Sequence, residues 1–138
     1  MARNKLRSIV IGSDTFLWRV YHRHVSREEE RINNPCAEVF TAFLENHTKT
    51  PVRILFPETS QHGPGYPSQA GVILDYQHPK QPINLNFPSI ARFTIQLALN
   101  EGWSPSTSTT ELQIDNGYEL FRAHRVQLES ILAAIANA

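Results

Sequence analysis

Residues 88–103, which read Pro-Ser-Ile-Ala-Arg-Phe-Thr-Ile-Gln-Leu-Ala-Leu-Asn-Glu-Gly-Trp, constrain the fold more than any other stretch of the chain. The spacing predicts a helix over 88–101. Pro88 suits the first helical position, where its missing N–H leaves nothing unsatisfied. Gly102 suits the left-handed residue just beyond the last turn, and Trp103 can then fold back on Leu97 and Ala98. Ile90, Phe93 and Leu97 form one apolar row that Ile95 and Leu99 widen, while Arg92, Gln96 and Asn100 recur every fourth residue as a narrow polar stripe. A helix so apolar around its circumference needs broad cover. Only the face of a sheet or a second chain is wide enough to supply it.

The remaining elements are read as that cover. Residues 6–12 and 15–25 are two extended runs joined by a polar turn at Ser13-Asp14, a hairpin pattern. Along the second run Phe16, Trp18, Val20, His22 and His24 share one face, because strand side chains alternate. That face is apolar near Trp18 and polar toward His24; the other, with Leu17, Arg19, Tyr21, Arg23 and Val25, is mixed. Arg27-Glu28-Glu29-Glu30-Arg31 is expected as a solvated connection closed by a turn at Asn33-Asn34-Pro35. Residues 37–45 are expected as a strand, although Val39, Phe40, Phe43 and Leu44 also fit a helical spacing.

Further strands are expected at 52–56, bounded by Pro51 and Pro57, and at 71–76. Residues 57–71 read as a long loop, a length that is uncommon without a binding role or mobility, and 77–86 as a second Pro-rich one. After a polar linker at 104–110, Asp115-Asn116-Gly117 between apolar runs predicts a hairpin across 111–121. The competing reading makes Asp115 or Asn116 the N-cap of one continuous helix to the C-terminus. Leu128, Ile131, Leu132 and Ile135 mark an amphipathic terminal helix under both readings. The fold class expected is α+β, one domain over 1–138, with an antiparallel sheet of about five strands packed by one central helix and a C-terminal amphipathic helix.

Charge narrows the function classes. The 138 residues carry 13 Lys+Arg against 13 Asp+Glu, so nothing in the balance favours a nucleic-acid backbone or an anionic membrane as partner. No window approaches the roughly 20 apolar residues of a membrane span, and the apolar stretch at 9–11 is too short for a secretory leader. A cytoplasmic location is expected. Cys36 is the sole cysteine; no intrachain disulfide is possible, and it reads as a small buried hydrophobe.

Few residues point to chemistry. His22-x-His24 on one strand face is the nearest thing to a metal pair, but zinc needs a third and usually a fourth ligand. His62, His78 and Glu38 cannot be positioned from sequence, so no metal and no cofactor are assigned. His62-Gly63-Pro64-Gly65-Tyr66-Pro67 has the composition of a binding loop, with glycines for close backbone approach and Tyr66 for apolar area with a polar tip. The phosphate-loop and dinucleotide glycine patterns are absent, as are Gly-x-Ser-x-Gly and His-Glu-x-x-His. Arg19, Arg23 and Arg92 can grip an anion, a role that isolated arginines seldom have. The residues expected to bind are His22, His24, His62, Tyr66 and His78.

Phe16-Leu17-Trp18-Arg19-Val20, Phe87-Pro88-Ser89-Ile90-Ala91 and the run from Ala98 through Gly102-Trp103-Ser104-Pro105 resemble small bacterial proteins of the mobile (integron) gene-cassette type. The resemblance implies a bacterial accessory protein and carries over no activity and no functional residue. The function expected is a non-enzymatic binding or interaction module. It would form a homo-oligomer and meet a protein partner or a small neutral ligand, with no nucleic acid and no membrane. The alternative is a small histidine-dependent hydrolase or isomerase-like enzyme, which requires at least two of His22, His24, His62 and His78 to converge on one pocket.

Overall fold

A computed structural model describes residues 6–32, 35–64, 71–107 and 109–137. In chain order it contains β1 (Arg7–Ile11), β2 (Asp14–Arg23), α1 (Glu28–Arg31), β3 (Ala37–Leu44), β4 (Val52–Pro57), β5 (His62–Pro64), β6 (Val72–Asp75), β7 (Ile83–Asn84), α2 (Pro88–Asn100), β8 (Leu112–Ile114), α3 (Gly117–Ala123) and α4 (Arg125–Ala136). The architecture is mixed α+β. A five-stranded sheet has the order β1-β2-β3-β4-β8, and β5-β6-β7 form a smaller sheet. Strands β1 to β4 are an antiparallel meander. Strand β8 lies parallel to β4, pairing Val52 with Leu112 and Ile54 with Ile114. The expectation of an antiparallel sheet is corrected at this edge. The chain returns to β4 only after the small sheet and α2, and a long crossover of that kind permits the parallel direction that a tight turn forbids.

Alternation sorts the sheet residues. Phe16, Trp18 and Val20 on β2, Phe40 and Ala42 on β3, and Val52, Ile54 and Phe56 on β4 all belong to the main core. Helix α2 contributes Ile90, Ala91, Phe93, Thr94, Ile95, Leu97 and Ala98 as buried residues, while Arg92, Gln96 and Asn100 are exposed as the narrow stripe requires. Its one buried polar side chain, Thr94, donates Oγ1–H to the carbonyl of Ile90 at 2.7 Å, which removes the cost of an unpaired hydroxyl. Gly102 ends the helix at φ 104°, a conformation in which other residues are strained. The Trp103 amide then donates to Ala98 O at 3.1 Å. The indole packs its ring 5.8 Å from Phe16 and donates Nε1–H to Thr50 O at 2.9 Å. One helix stop therefore also ties the 44–52 connection to the core.

Local differences from the sequence reading have physical causes. The charged connection at 27–31 contains a single helical turn, with Glu28, Glu29 and Glu30 where a helix N-terminus favours negative charge. The turn expected at Asn33-Asn34 and the loop residues 65–70 lie outside the described residues. Around them, what reads as two long loops holds β5 and β7, which flank β6 antiparallel. Ile83 and Leu85 anchor the second of these loops in the core.

The hairpin expected over 111–121 does not form. Its first half is β8, but the Asn116 side chain accepts a hydrogen bond from the Glu119 amide and caps α3, so capping wins over the type I′ turn. The continuous-helix reading also fails, because His124 leaves helical geometry at φ −123°, ψ 35° and separates α3 from α4. Gly117 is required by space. A Cβ there would lie 2.4 Å from the Phe56 ring, and that ring also meets Tyr118 and Phe121 edge-on at 5.4 and 5.1 Å. Gly117→Ala is expected to lower unfolding stability by roughly 1–3 kcal/mol through overpacking, despite the better helix propensity of alanine. Urea denaturation of the two proteins checks this.

Candidate functional site

Two polar clusters sit where the large sheet runs out of apolar cover. The first follows from the β2–β3 register, which pairs Val20 with Phe40, His22 with Glu38 and Arg23 with Ala37. One further step along the same register sets His24 opposite Cys36. Two cross-strand polar pairs thus continue the face that buries Trp18 and Val20. His22 Nδ1 bonds the Glu38 carboxylate. Glu38 is only 5% exposed, and its other oxygen accepts the Gly71 amide at 2.5 Å, so both oxygens of this buried carboxylate are satisfied.

His24 Nδ1 lies 3.6 Å from Cys36 Sγ, and the sulfur accepts the Val25 amide at 3.1 Å. The two imidazoles are 6.1 Å apart with their planes inclined by 29°. One ligating atom from each of His22, His24 and Cys36 lies within 4.8 Å of the other two. The histidines are exposed and the cysteine is 3% exposed.

The second cluster joins the small sheet to α3. His62 on β5 stacks on the Tyr118 ring, with centroids 3.9 Å apart and planes 19° from parallel. Its Nδ1 is 2.9 Å from Thr59 Oγ1 and its Nε2 is 3.1 Å from an Arg122 guanidinium nitrogen. Arg122 is a donor only, so Nε2 accepts and Nδ1–H donates to Thr59. Arg122 also reaches Asp75 Oδ2 at 3.3 Å, and the Tyr118 hydroxyl donates to Gly63 O at 3.5 Å.

Burial pushes the His62 pKa below its ordinary value of 6.5; Arg122 adds to this and Asp75 opposes it. Burial would raise Asp75, but the Gln77 amide, Arg122 and the His62 charge together hold it below the ordinary carboxylate value. Tyr118 is pushed up, first by burial and then by the charges of Glu38, Tyr76, Asp75 and Glu58. The cluster fixes β5 against α3 with both ring nitrogens of His62 engaged.

Of the residues expected to bind, His22 and His24 come together, and His62 stands in the separate buried cluster. His78 is half-buried in the turn after β6, where its backbone bonds Asp75 O and the Gln81 amide. Tyr66 lies outside the described residues. Among the arginines, Arg92 is exposed, Arg19 lies over the Tyr21 ring at 5.8 Å, and Arg23 donates to Pro35 O. Sequence reasoning did not group Cys36 with the histidines, nor Asp75, Tyr118 and Arg122 with His62. The first grouping requires the strand register across residues 24–36, and the second joins positions 60 residues apart. Comparison with family models, curated proteins and solved structures finds no match to this chain. No helix among the described residues is long and apolar enough to cross a membrane.

The depressed pKa of His62 fixes the sign of a pH effect. Well above pH 6.5 the imidazole is neutral in folded and unfolded chains alike. As pH falls through 6.5 the unfolded chain takes up a proton that the native site resists, so stability drops until the lowered native pKa is passed. Native stability is therefore expected to fall between about pH 7.5 and 5.5, and His62→Gln to flatten that slope. Denaturant midpoints at the two pH values check both statements.

Proposed function

We propose that the chain is a non-enzymatic binding module that self-associates. The observation that carries this reading is the open edge of β1. Among the described residues it is the outermost strand of the five-stranded sheet, five residues long, with the sequence Arg-Ser-Ile-Val-Ile and no proline or glycine. Such an edge presents a row of backbone donors and acceptors that natural sheets ordinarily blunt with charge, proline or a bulge. The opposite edge, β8, is three residues long. Val10 on β1 is 54% exposed. A second copy is the occupant that fits: antiparallel pairing of β1 with its own copy across a twofold axis is self-complementary and continues both sheets.

The expected helix cover belongs to the same reading. The seven buried residues of α2 support its role as the single central helix under the sheet. The terminal α4 supports an amphipathic helix facing outward, since Leu128 is its buried residue and Val126 is 83% exposed. The likeness to integron cassette proteins, which the sequence motifs support, and a cytoplasmic location belong to the same proposal.

The enzyme reading draws on the meeting of His22 with His24, ring centroids 6.1 Å apart, and on the approach of His24 Nδ1 to Cys36 Sγ, the geometry of a base beside a nucleophile. Binding is favoured because Cys36 is 3% exposed and its sulfur receives the Val25 amide hydrogen bond, which shields it from a substrate carbonyl. His62 has no free ring nitrogen to act as an acid or base.

Light scattering at tens of micromolar is expected to give a dimer. Val10→Lys, which sets a charge on the open edge without touching the core, is expected to weaken dimerisation at least tenfold with an unchanged circular dichroism spectrum. A wild-type monomer at that concentration overturns self-association. Alkylation of Cys36 by iodoacetamide in the folded protein is expected to be slower than in the unfolded chain; faster alkylation when folded would favour the enzyme.

A further inference from the structure

We propose that His22, His24 and Cys36 form a site for a divalent d-block cation of zinc type. The inference deepens the binding reading by naming a ligand class, and it is independent of self-association. Two imidazole nitrogens and a thiolate are a borderline-soft donor set that suits zinc and excludes the hard cations magnesium and calcium, which take oxygen ligands.

The geometry is close to what the ion needs. Zinc bonds of about 2.0–2.1 Å to nitrogen and about 2.3 Å to sulfur at tetrahedral angles put ligand atoms roughly 3.3–3.6 Å apart. His24 Nδ1 and Cys36 Sγ are already 3.6 Å apart. The complete trio lies within 4.8 Å, so the remaining approach is small and falls to the exposed His22 and His24 side chains.

The supports around the trio are those of a metal centre. The Nδ1 of His22 is engaged by Glu38, so Nε2 is the nitrogen left to face an ion. A carboxylate on the far nitrogen of a ligating imidazole fixes its orientation and raises its basicity. Both oxygens of Glu38 are taken, by His22 and by the Gly71 amide, so it acts as a positioning residue and not as a fourth ligand. The Val25 amide donates to Sγ and can support negative charge on a thiolate. Binding releases the thiol proton to solvent. Cation, thiolate and Glu38 together carry no net charge, which limits the cost of a site whose sulfur is buried. Three protein ligands leave the fourth position on the exposed side for water or for a donor from a partner.

Cobalt(II) is the probe that reports the ligands directly. The full, reduced chain freed of metal by chelation is titrated with cobalt(II) and then zinc(II). The expected result is one equivalent bound per chain, with a thiolate-to-cobalt charge-transfer band and the intense visible bands of a four-coordinate ion, both erased by zinc. His22→Gln and His24→Gln, at exposed positions, are each expected to weaken binding at least tenfold. Cys36→Ser is expected to abolish the charge-transfer band. Glu38→Gln is expected to keep the spectrum while lowering affinity about 10–100-fold.

If Cys36→Ser does not fold, the two histidine variants still decide the matter. No cobalt–thiolate band, or a band and affinity unchanged in both histidine variants, overturns the proposal. Light scattering of the chelated protein is read separately, so a dimer without cobalt binding rejects the metal site alone. A monomer that binds cobalt rejects self-association alone.

Discussion

The register of β2 on β3 is the constraint on which the rest of this structure depends. Strand side chains alternate, so a slip of one residue would move every core residue of β2 to the other face. The observed register sets Trp18 opposite Ala42 and Val20 opposite Phe40, a large side chain against a small one and then a medium against a large one. The Trp18 and Phe40 rings stack with centroids 5.9 Å apart. The same alternation carries His22, Glu38, His24 and Cys36 onto the core side, beyond the point where apolar cover ends. The polar cluster at the strand end is thus a continuation of the core by other residue types. Its pairing is inherited from packing that Trp18 and Phe40 decide.

Helix α2 depends on that face in turn. Its apolar circumference reads in the sequence, as do its start at Pro88 and its stop at Gly102-Trp103, because all three signals are local: a proline without an N–H, a residue at positive φ, and an apolar row at helical spacing. What the sequence leaves open is where the returning indole lands. In the structure it meets Phe16 and the Thr50 carbonyl, partners 87 and 53 positions away along the chain. Local chemistry ended the helix, and tertiary contact chose what that ending holds.

The outer strands of the small sheet were hidden for the same reason, whereas β6 was legible as a strand and α3 only through the competing N-cap reading at Asn116. Strand β5 has three residues, one of them proline, and β7 has two, too few for any periodicity to emerge. They are strands because β6 lies between them. At 115–117 two local signals compete, a turn and an N-cap, and the sequence favours the turn. Tertiary space decides otherwise: the Phe56 ring occupies the place where Gly117 would carry a side chain, and α3 then brings Tyr118 and Arg122 onto His62. The individual histidines were legible as candidates. Their partners were not, since Cys36 approaches His24 through strand register and Arg122 reaches His62 across 60 residues.

The two cross-strand pairs at the strand end differ in what the fold asks of them. A carboxylate as buried as that of Glu38 must have its oxygens satisfied, and a lost partner would cost about 1–3 kcal/mol. His22 and the Gly71 amide meet that demand, and in doing so tie β2, β3 and the start of the small sheet together. His24 and Cys36 meet no comparable demand. A small apolar residue in place of the thiol would fill the same volume without a polar atom to satisfy, and the exposed His24 ring covers little core. The fold accounts for His22 and Glu38 whether or not an ion is present. It does not account for an imidazole aimed at a buried sulfur, and the function of this strand end is to be sought in that surplus.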